Sequence, residues 1–372
     1  MASSLKQAPI ACPGHSRPVV DIYFSDDADC GALFLTVAKD GRAILRQGDT
    51  GDWIGTFLGH QGAAIWSCAL DAYATKAATG AADFTAKMWD TTSGQELLSL
   101  AEEHIVRCVD MSKSDSGGHL LTANNLKKLS VYDLSAPSSP LIRFDAHEDL
   151  IRRGVWSNGD RNIVTASEDK TVRLWDVSDR SKRPVASTSL WSIELDKPVT
   201  DLQFKFPNSP ESSTEVQAAL VFGRNVELYT FDWRRLDTPA TPKPTASFTL
   251  PCTMFTVSLS PTDDTLVCGG EDHYLYRLDC KSGKILETCK GHFGPVHCVR
   301  FSPGGHVFVS GSEDGTVRMW QAQVGENFGL WQLSVPVTTN GLAAEGPNGS
   351  APPITTGVEI PDAGHAPSVA AL

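Results

Sequence analysis

The chain has 372 residues, 41% of them apolar, and carries 32 Lys and Arg against 44 Asp and Glu, a formal net charge of −12 at pH 7. That balance argues against unaided binding to phosphate backbones, which needs clustered cations to displace counterions. No run reaches the ~20 consecutive apolar residues of a membrane-spanning helix, and the nine scattered cysteines form no C-x-x-C pair, against both a zinc site and a disulfide framework.

The amino terminus, MASSLKQAPIACPGH, lacks a long apolar h-region and is read as carrying no secretory signal, so the cysteines are expected to be small buried hydrophobes in a reducing compartment. From there the chain repeats. Asp40, Asp83, Asp169, Asp272 and Asp314 recur at a near-constant interval, with Leu126 where a further aspartate is due. The step is 43 residues from 40 through 83 and 126 to 169, and 42 from 272 to 314. Trp89, Trp175 and Trp320 each stand six residues after one of these aspartates. A period of that length predicts four-stranded propeller blades.

Each unit reads as a Gly-His or variant, an alternating apolar strand, a Ser-Pro-Asp-like turn, a second strand, the Asp turn, a third strand ending in Trp, and a turn into a fourth. Blade 1 starts at Gly14-His15, carries Thr36 and Asp40, and has Arg46 where Trp is expected. Blade 2 starts at Gly59-His60 and is complete. Blade 3 starts at Glu103-His104, keeps Thr122, but has Leu126 for Asp and Tyr132 for Trp. Blade 4 starts at Ala146-His147 and carries Thr165, Asp169 and Trp175. Two blades fill the interval to Asp272, with PNSPESSTE (207–215) and DTPATPKPTA (237–246) as surplus loops and a blade 5 turn near Gly223-Arg224-Asn225. Blade 6 lacks both His and Trp, and blade 7 runs from Gly291-His292 through Asp314 to Trp320.

The predicted fold is an all-β, seven-bladed β-propeller of the WD40 kind over residues 1–335, followed by a disordered tail, 336–372, rich in Pro, Gly, Ala and Thr. Ring closure needs one more strand. Aligning Gly14-His15 on Gly291-His292 sets Cys12 on Cys289, so residues 8–13 look like a fourth strand without its first three, and they are expected to complete the blade ending at Trp320. FGLWQLSV (328–335) is the competing candidate.

His292, Ser310 and Asp314 are the residue types of a hydrolase triad. The same set recurs, however, as His60/Thr79/Asp83 and His147/Thr165/Asp169, each with a Trp six residues beyond the Asp (Trp89, Trp175, Trp320). A nucleophile is needed once, whereas a fastener is needed in every blade. The expected structure is a buried relay: indole N–H to hydroxyl, hydroxyl to imidazole, imidazole N–H to carboxylate. Partial versions are expected at His15/Thr36/Asp40, at His104/Thr122 and at Asp272. One imidazole per blade makes no metal site, and no phosphate loop or zincin motif appears, so no catalytic residue, metal or cofactor is expected. The basic pairs Lys127/Lys128, Arg152/Arg153 and Arg234/Arg235 are read as solvated loop or strand-edge charge.

Recognition is assigned instead to loops at one mouth of the ring: Lys39, Glu168, Glu271 and Glu313 before the turn aspartates, Arg17 and Phe293 after the Gly-His pairs. Trp53 and Trp331 lie outside the repeating Trp position, as partner anchors or packed under loops.

HSRPVVDIYFS (15–25), KDGRAILRQGDTGDWIGTFLGHQGA (39–63), KAATGAADFTAKMWD (76–90), EDKTVRLWD (168–176), CKGHFGPVHCVRFSPGG (289–305) and SGSEDGTVRMWQ (310–321) closely resemble the serine-threonine kinase receptor-associated (unr-interacting) family, with LRQGDTGDWIGTFLGH the specific part. The resemblance covers roughly residues 7–333. It implies a non-enzymatic WD-repeat scaffold of cytoplasm and nucleus, a monomeric propeller within the survival-of-motor-neuron complex. Its implied partners are gemin-type and Sm proteins of spliceosomal ribonucleoprotein assembly, with any RNA contact indirect and no membrane. The family is also tied to transforming-growth-factor-β receptor signalling and to an RNA-binding partner of translation. Leu126, the enlarged blade 5 loops and the tail depart from it. A similar propeller, the i subunit of translation initiation factor three, ranks second, and an enzyme in the rim third.

Overall fold

The computed structural model describes residues 7–26, 32–113, 118–157, 160–179, 189–205, 215–232 and 242–323. Among them, 28 strands form seven four-stranded antiparallel sheets, with no α-helix and hence none long and apolar enough to cross a membrane. The inner strands, from blade 1 to blade 7, are Val19–Phe24, Ile65–Leu70, Val106–Met111, Ile151–Ser157, Val199–Lys205, Met254–Leu259 and Val296–Phe301. Neighbouring inner strands pack side by side into a closed ring. Second, third and outer strands follow outward in each blade, as the repeat predicts.

The repeat leaves two backbone signatures. In every blade the pairing of inner and second strands slips at the second inner-strand residue, from Val19/Asp21 in blade 1 to Val296/Cys298 in blade 7. Such a bulge leaves one residue unpaired and redirects its side chain. In six blades the residue after the Asp position has positive φ: Gly41 (77°), Phe84 (68°), Lys127 (67°), Lys170 (69°), His273 (70°) and Gly315 (76°). Blade 5 turns at Gly223 (58°), between the paired Phe222 and Asn225, where the sequence places it.

Seven apolar clusters fill the seven blade interfaces. One, for example, joins Leu35, Leu45 and Phe57 of blade 1 to Ile65, Leu70 and Trp89 of blade 2. Another joins Phe24 and Phe34 to Val309 and Met319 across the closing interface. Trp89, Trp156, Trp175 and Trp320 are fully buried in these clusters, and a buried Trp lost to Ala costs about 3–5 kcal/mol.

The ring closes on its own amino terminus. Ile10–Cys12 pairs with the third strand of blade 7, Val317–Gln321, in the register Ile10↔Met319, Ala11↔Arg318 and Cys12↔Val317. The Gln7 side chain extends the ladder, accepting from the Gln321 amide (2.9 Å) and donating to its carbonyl (3.2 Å). An otherwise open sheet edge is thereby paired. Gly51 admits this strand, because its φ is +77° and a Cβ there would stand 2.5 Å from Cys12 Sγ. The competing FGLWQLSV segment, Trp331, Arg234/Arg235, residues 207–214 and 237–241 of the surplus loops and the 336–372 tail lie outside the described residues.

Candidate interaction surface at the channel mouth

The relay residues meet in three blades. Trp89, Trp175 and Trp320 donate from Nε1 to Thr79, Thr165 and Ser310 at 2.9, 2.9 and 2.8 Å. Those hydroxyls lie 2.7, 2.6 and 2.7 Å from Nε2 of His60, His147 and His292. Nδ1 of each imidazole stands 2.8, 2.8 and 3.2 Å from Asp83, Asp169 and Asp314. Burial pushes all three histidines below their ordinary pKa, His292 to about 4, against the pull of its aspartate. Burial alone would raise Asp314, but the amides of Phe293 and Thr316 hold it at about 2. The relay therefore runs through a neutral imidazole that donates to a carboxylate. Its hydroxyls have 0% exposure and are spent on indole and imidazole, so they are closed to any substrate.

The same aspartates shape the turns. Their Oδ1 atoms accept the amide two residues on, from Arg42 (3.0 Å) in blade 1 to Thr316 (2.8 Å) in blade 7. One carboxylate thus fastens both turn and histidine.

Blade 1 keeps His15, Thr36 and Asp40 in contact, with Nε2 3.0 Å from Thr36 and Nδ1 3.1 Å from Asp40. Arg46, in the Trp place, reaches the other way. Its guanidinium donates to the carbonyls of Gly51 (3.1 Å), Cys12 (3.5 Å) and Pro13, fastening the closing strand. In blade 6, Asp272 accepts from the Tyr276 hydroxyl at 2.5 Å.

Blade 3 corrects the sequence reading. His104 is not in a relay with Thr122; it stacks on Phe84 with ring centroids 5.1 Å apart. Glu102, buried two residues earlier, takes its place. It accepts from Thr122 (2.7 Å), Tyr132 (2.9 Å) and Asn124 (3.2 Å), and Arg143 lies 3.1 Å away. A phenol hydroxyl projects from the far end of its ring rather than from the side as an indole N–H does, and here Thr122 and Tyr132 both donate to one carboxylate oxygen instead of to each other. Asn124 Oδ1 accepts from Leu126 and Lys128 (3.0 and 3.4 Å), supplying the turn cap Leu126 cannot.

Arg153 is a second correction. Far from being solvated strand-edge charge, its guanidinium crosses from blade 4 to Asp21 of blade 1 (3.0 and 2.9 Å) and lies 3.8 Å from Asp201 of blade 5. Arg300 of blade 7 forks onto Asp201 at 2.9 and 3.1 Å. Ser67 and Thr256 donate to the same carboxylates at 3.1 and 2.8 Å. Two guanidiniums and two carboxylates thus tie four blades across the axis. Breaking such a buried set by removing one partner costs about 3–5 kcal/mol. The signal was available: Asp21, Arg153 and Asp201 share the third inner-strand position, facing the axis.

Above this network lies the mouth. In six blades the residue before the turn Asp position donates its amide to the carbonyl just ahead of the inner strand, as Lys39 does to Pro18 and Glu313 to Pro295 (2.9 Å each). Both sets of loops therefore emerge at one end. Lys39 and Glu313 pair at 3.6 Å, Glu168 pairs with Arg152, and Lys128 pairs with Glu103 at 2.6 Å. Phe293 is 83% exposed, and Arg17 and Glu271 are also exposed. Trp53 is 62% exposed on the outer strand Trp53–Phe57, away from the mouth and not packed under a loop.

The seven bulges add residues the sequence reading missed: Val20, Trp66, Arg107, Arg152, Thr200, Phe255 and His297, all at least partly exposed between mostly buried neighbours. Two pairs of them, from neighbouring blades, touch. The guanidinium carbon of Arg107 lies over the Trp66 ring, 3.8 Å from its centroid, with Lys39 5.7 Å from the same ring. Phe255 stacks on His297 at 5.9 Å, and His297 bonds Glu313 at 2.6 Å. The second inner-strand position of each repeat is the signal that finds them.

Residues 51–90, 138–176 and 283–321 match the family model described as "WD domain, G-beta repeat". The chain is 43% identical over 342 residues to the serine-threonine kinase receptor-associated protein of Gallus gallus, covering 92% of this chain and 90% of that one. The chain belongs to the serine-threonine kinase receptor-associated protein family. It is 34% identical over 315 residues to the Dictyostelium discoideum member, spanning 84% of this chain and 98% of that one. Eukaryotic translation initiation factor 3 subunit I of Drosophila simulans stands further off, 27% identical over 337 residues, with coverage of 84% and 95%. The chain is a WD-repeat propeller of the receptor-associated family, an architecture suited to protein–protein interaction.

Proposed function

We propose that the chain is a non-enzymatic adaptor within an assembly of the survival-of-motor-neuron kind, where gemin-type and Sm proteins are brought together in building spliceosomal ribonucleoproteins. The observation that carries the adaptor reading is the contrast between interior and rim. Every recurring His-hydroxyl-Asp set has its hydroxyl sealed in a blade, while the exposed large apolar side chains sit on loops and outer strands. Rigid sheets hold those loops in fixed relation, so partners dock without a large ordering cost. The adaptor has no chemistry of its own, touches RNA only through its partners and works in cytoplasm and nucleus.

A second reading, an adaptor in receptor signalling, is favoured by the name of the relatives, which associates them with a serine-threonine kinase receptor. An initiation-factor subunit is a third, weakened by the lower identity. Affinity purification of the tagged full chain with identification of co-purifying proteins separates them. Gemin-type and Sm proteins are expected. Initiation-factor subunits or a receptor kinase in their place would overturn the assembly assignment.

A further inference from the structure

The cations around Trp66 are not equally engaged. Lys39 is paired with Glu313 and Arg152 with Glu168. Arg107, between them, donates only Nε, to Asn125 Oδ1 at 2.9 Å, and lies against the indole. Its two terminal nitrogens have no acceptor among the described residues. Burial and the Arg152 charge both act against the Arg107 cation, and the charge of Glu168, itself paired with Arg152, offsets them only in part. A guanidinium already held over an indole and by its Nε loses little freedom when its fork is filled, and that fork matches two oxygens of one oxyanion.

Phe84 (44% exposed) and Leu126 (43% exposed) occupy the Asp turns of blades 2 and 3, the blades that carry Trp66 and Arg107. Leu126 adjoins Asn125, which Arg107 grips. We infer that Arg107 is a receptor for one Asp or Glu side chain of a partner protein, whose flanking apolar residues lie over Phe84 and Leu126. A nucleic-acid strand fits less well. It would bring a row of phosphates to a mouth with exposed Glu271 and Glu313, on a chain of net charge −12. This inference rests on the adaptor reading and names the chemistry of one of its docking points.

The test is selection of random dodecapeptides displayed on phage against the purified full chain and against its Arg107→Gln variant, with a labelled single-stranded RNA 20-mer as a parallel probe. Peptides enriched on the wild type should share an acidic residue beside an apolar one. Synthesised, they should weaken about tenfold or more when that acid becomes its amide, and again with Arg107→Gln. Arg107→Lys keeps the charge and lacks the fork, so it should restore only a small part. It also serves as the second variant should Arg107→Gln melt well below the wild type. Peptides without acid, equal enrichment on both baits, no enrichment, or Arg107-dependent RNA binding tighter than any peptide would each overturn the inference. Recovery of the same assembly subunits by the Arg107→Gln chain, with no selected peptide dependent on Arg107, would overturn it and leave the adaptor reading standing. Selected acidic peptides that need Arg107, with no assembly subunit recovered by the wild type, would support it and overturn the assembly assignment.

Discussion

Blades 4 and 3 are neighbours with the same strand order, and they fasten themselves differently. Blade 4 runs Trp175, Thr165, His147 and Asp169 as a line of donors and acceptors through a neutral ring. Blade 3 gathers Thr122, Tyr132, Asn124 and Arg143 around the buried charge of Glu102. The line tolerates only specific residue types at specific spacing. The hub needs only donors within reach of one carboxylate. Both supply a satisfied polar link between the inner-strand approach and the second strand, by different chemistry.

The largest effect should come from the hub. Glu102→Ala leaves a guanidinium, an amide and two hydroxyls without their shared acceptor, and should cost about 3–5 kcal/mol in urea unfolding. An unchanged midpoint would show that blade 3 is held by packing alone. The line should be weaker per link. Thr165→Val removes one hydroxyl, strands the Trp175 N–H and His147 Nε2, and should cost about 1–3 kcal/mol.

Acid should separate the two designs. His292 is held near 4 by burial against an ordinary value of 6.5, so below 6.5 the unfolded chain takes up a proton that the folded chain refuses. Its contribution is complete above pH 6.5 and is lost as pH falls toward 4, by about 3 kcal/mol at 1.36 kcal/mol per unit. Below that, Asp314 adds a loss between its ordinary 3.8 and about 2. Stability measured from pH 7 to pH 4 should fall less steeply in His292→Gln, from a lower starting point. Parallel curves would remove the neutral-imidazole account. The smallest effect should be Leu126→Asp, which restores the repeating turn residue where Asn124 already caps the turn. A change within about 0.5 kcal/mol is expected by thermal melting. A gain well above that would mean that the Asn124 cap is a poor substitute.

Arg46 makes the same point at the ring closure. A missing Trp reads from the sequence as a defect in blade 1, yet the arginine grips Cys12 and Pro13 of the closing strand. Blade 1 is where the ring must hold a strand from the far end of the blade order, and the departure from the repeat supplies that grip. Leu126 and Arg153 read similarly, as a lost turn residue and as stray charge, because the partners that explain them come from elsewhere in the blade or across the axis.

By itself the sequence determined the number of blades, their strand order and which residues of blades 2, 4 and 7 lie together, and it favoured residues 8–13 over 328–335 for the closing strand. All of these follow from period and alternation, which are local properties of the chain. Only the tertiary structure decided that Glu102 replaces His104, that Arg153 and Arg300 bind Asp21 and Asp201 across the axis, and that Arg107 lies on Trp66 with its fork unspent. Those contacts join side chains whose proximity is set by the bulge, the turn and the curvature of the ring, and no spacing along one strand records them.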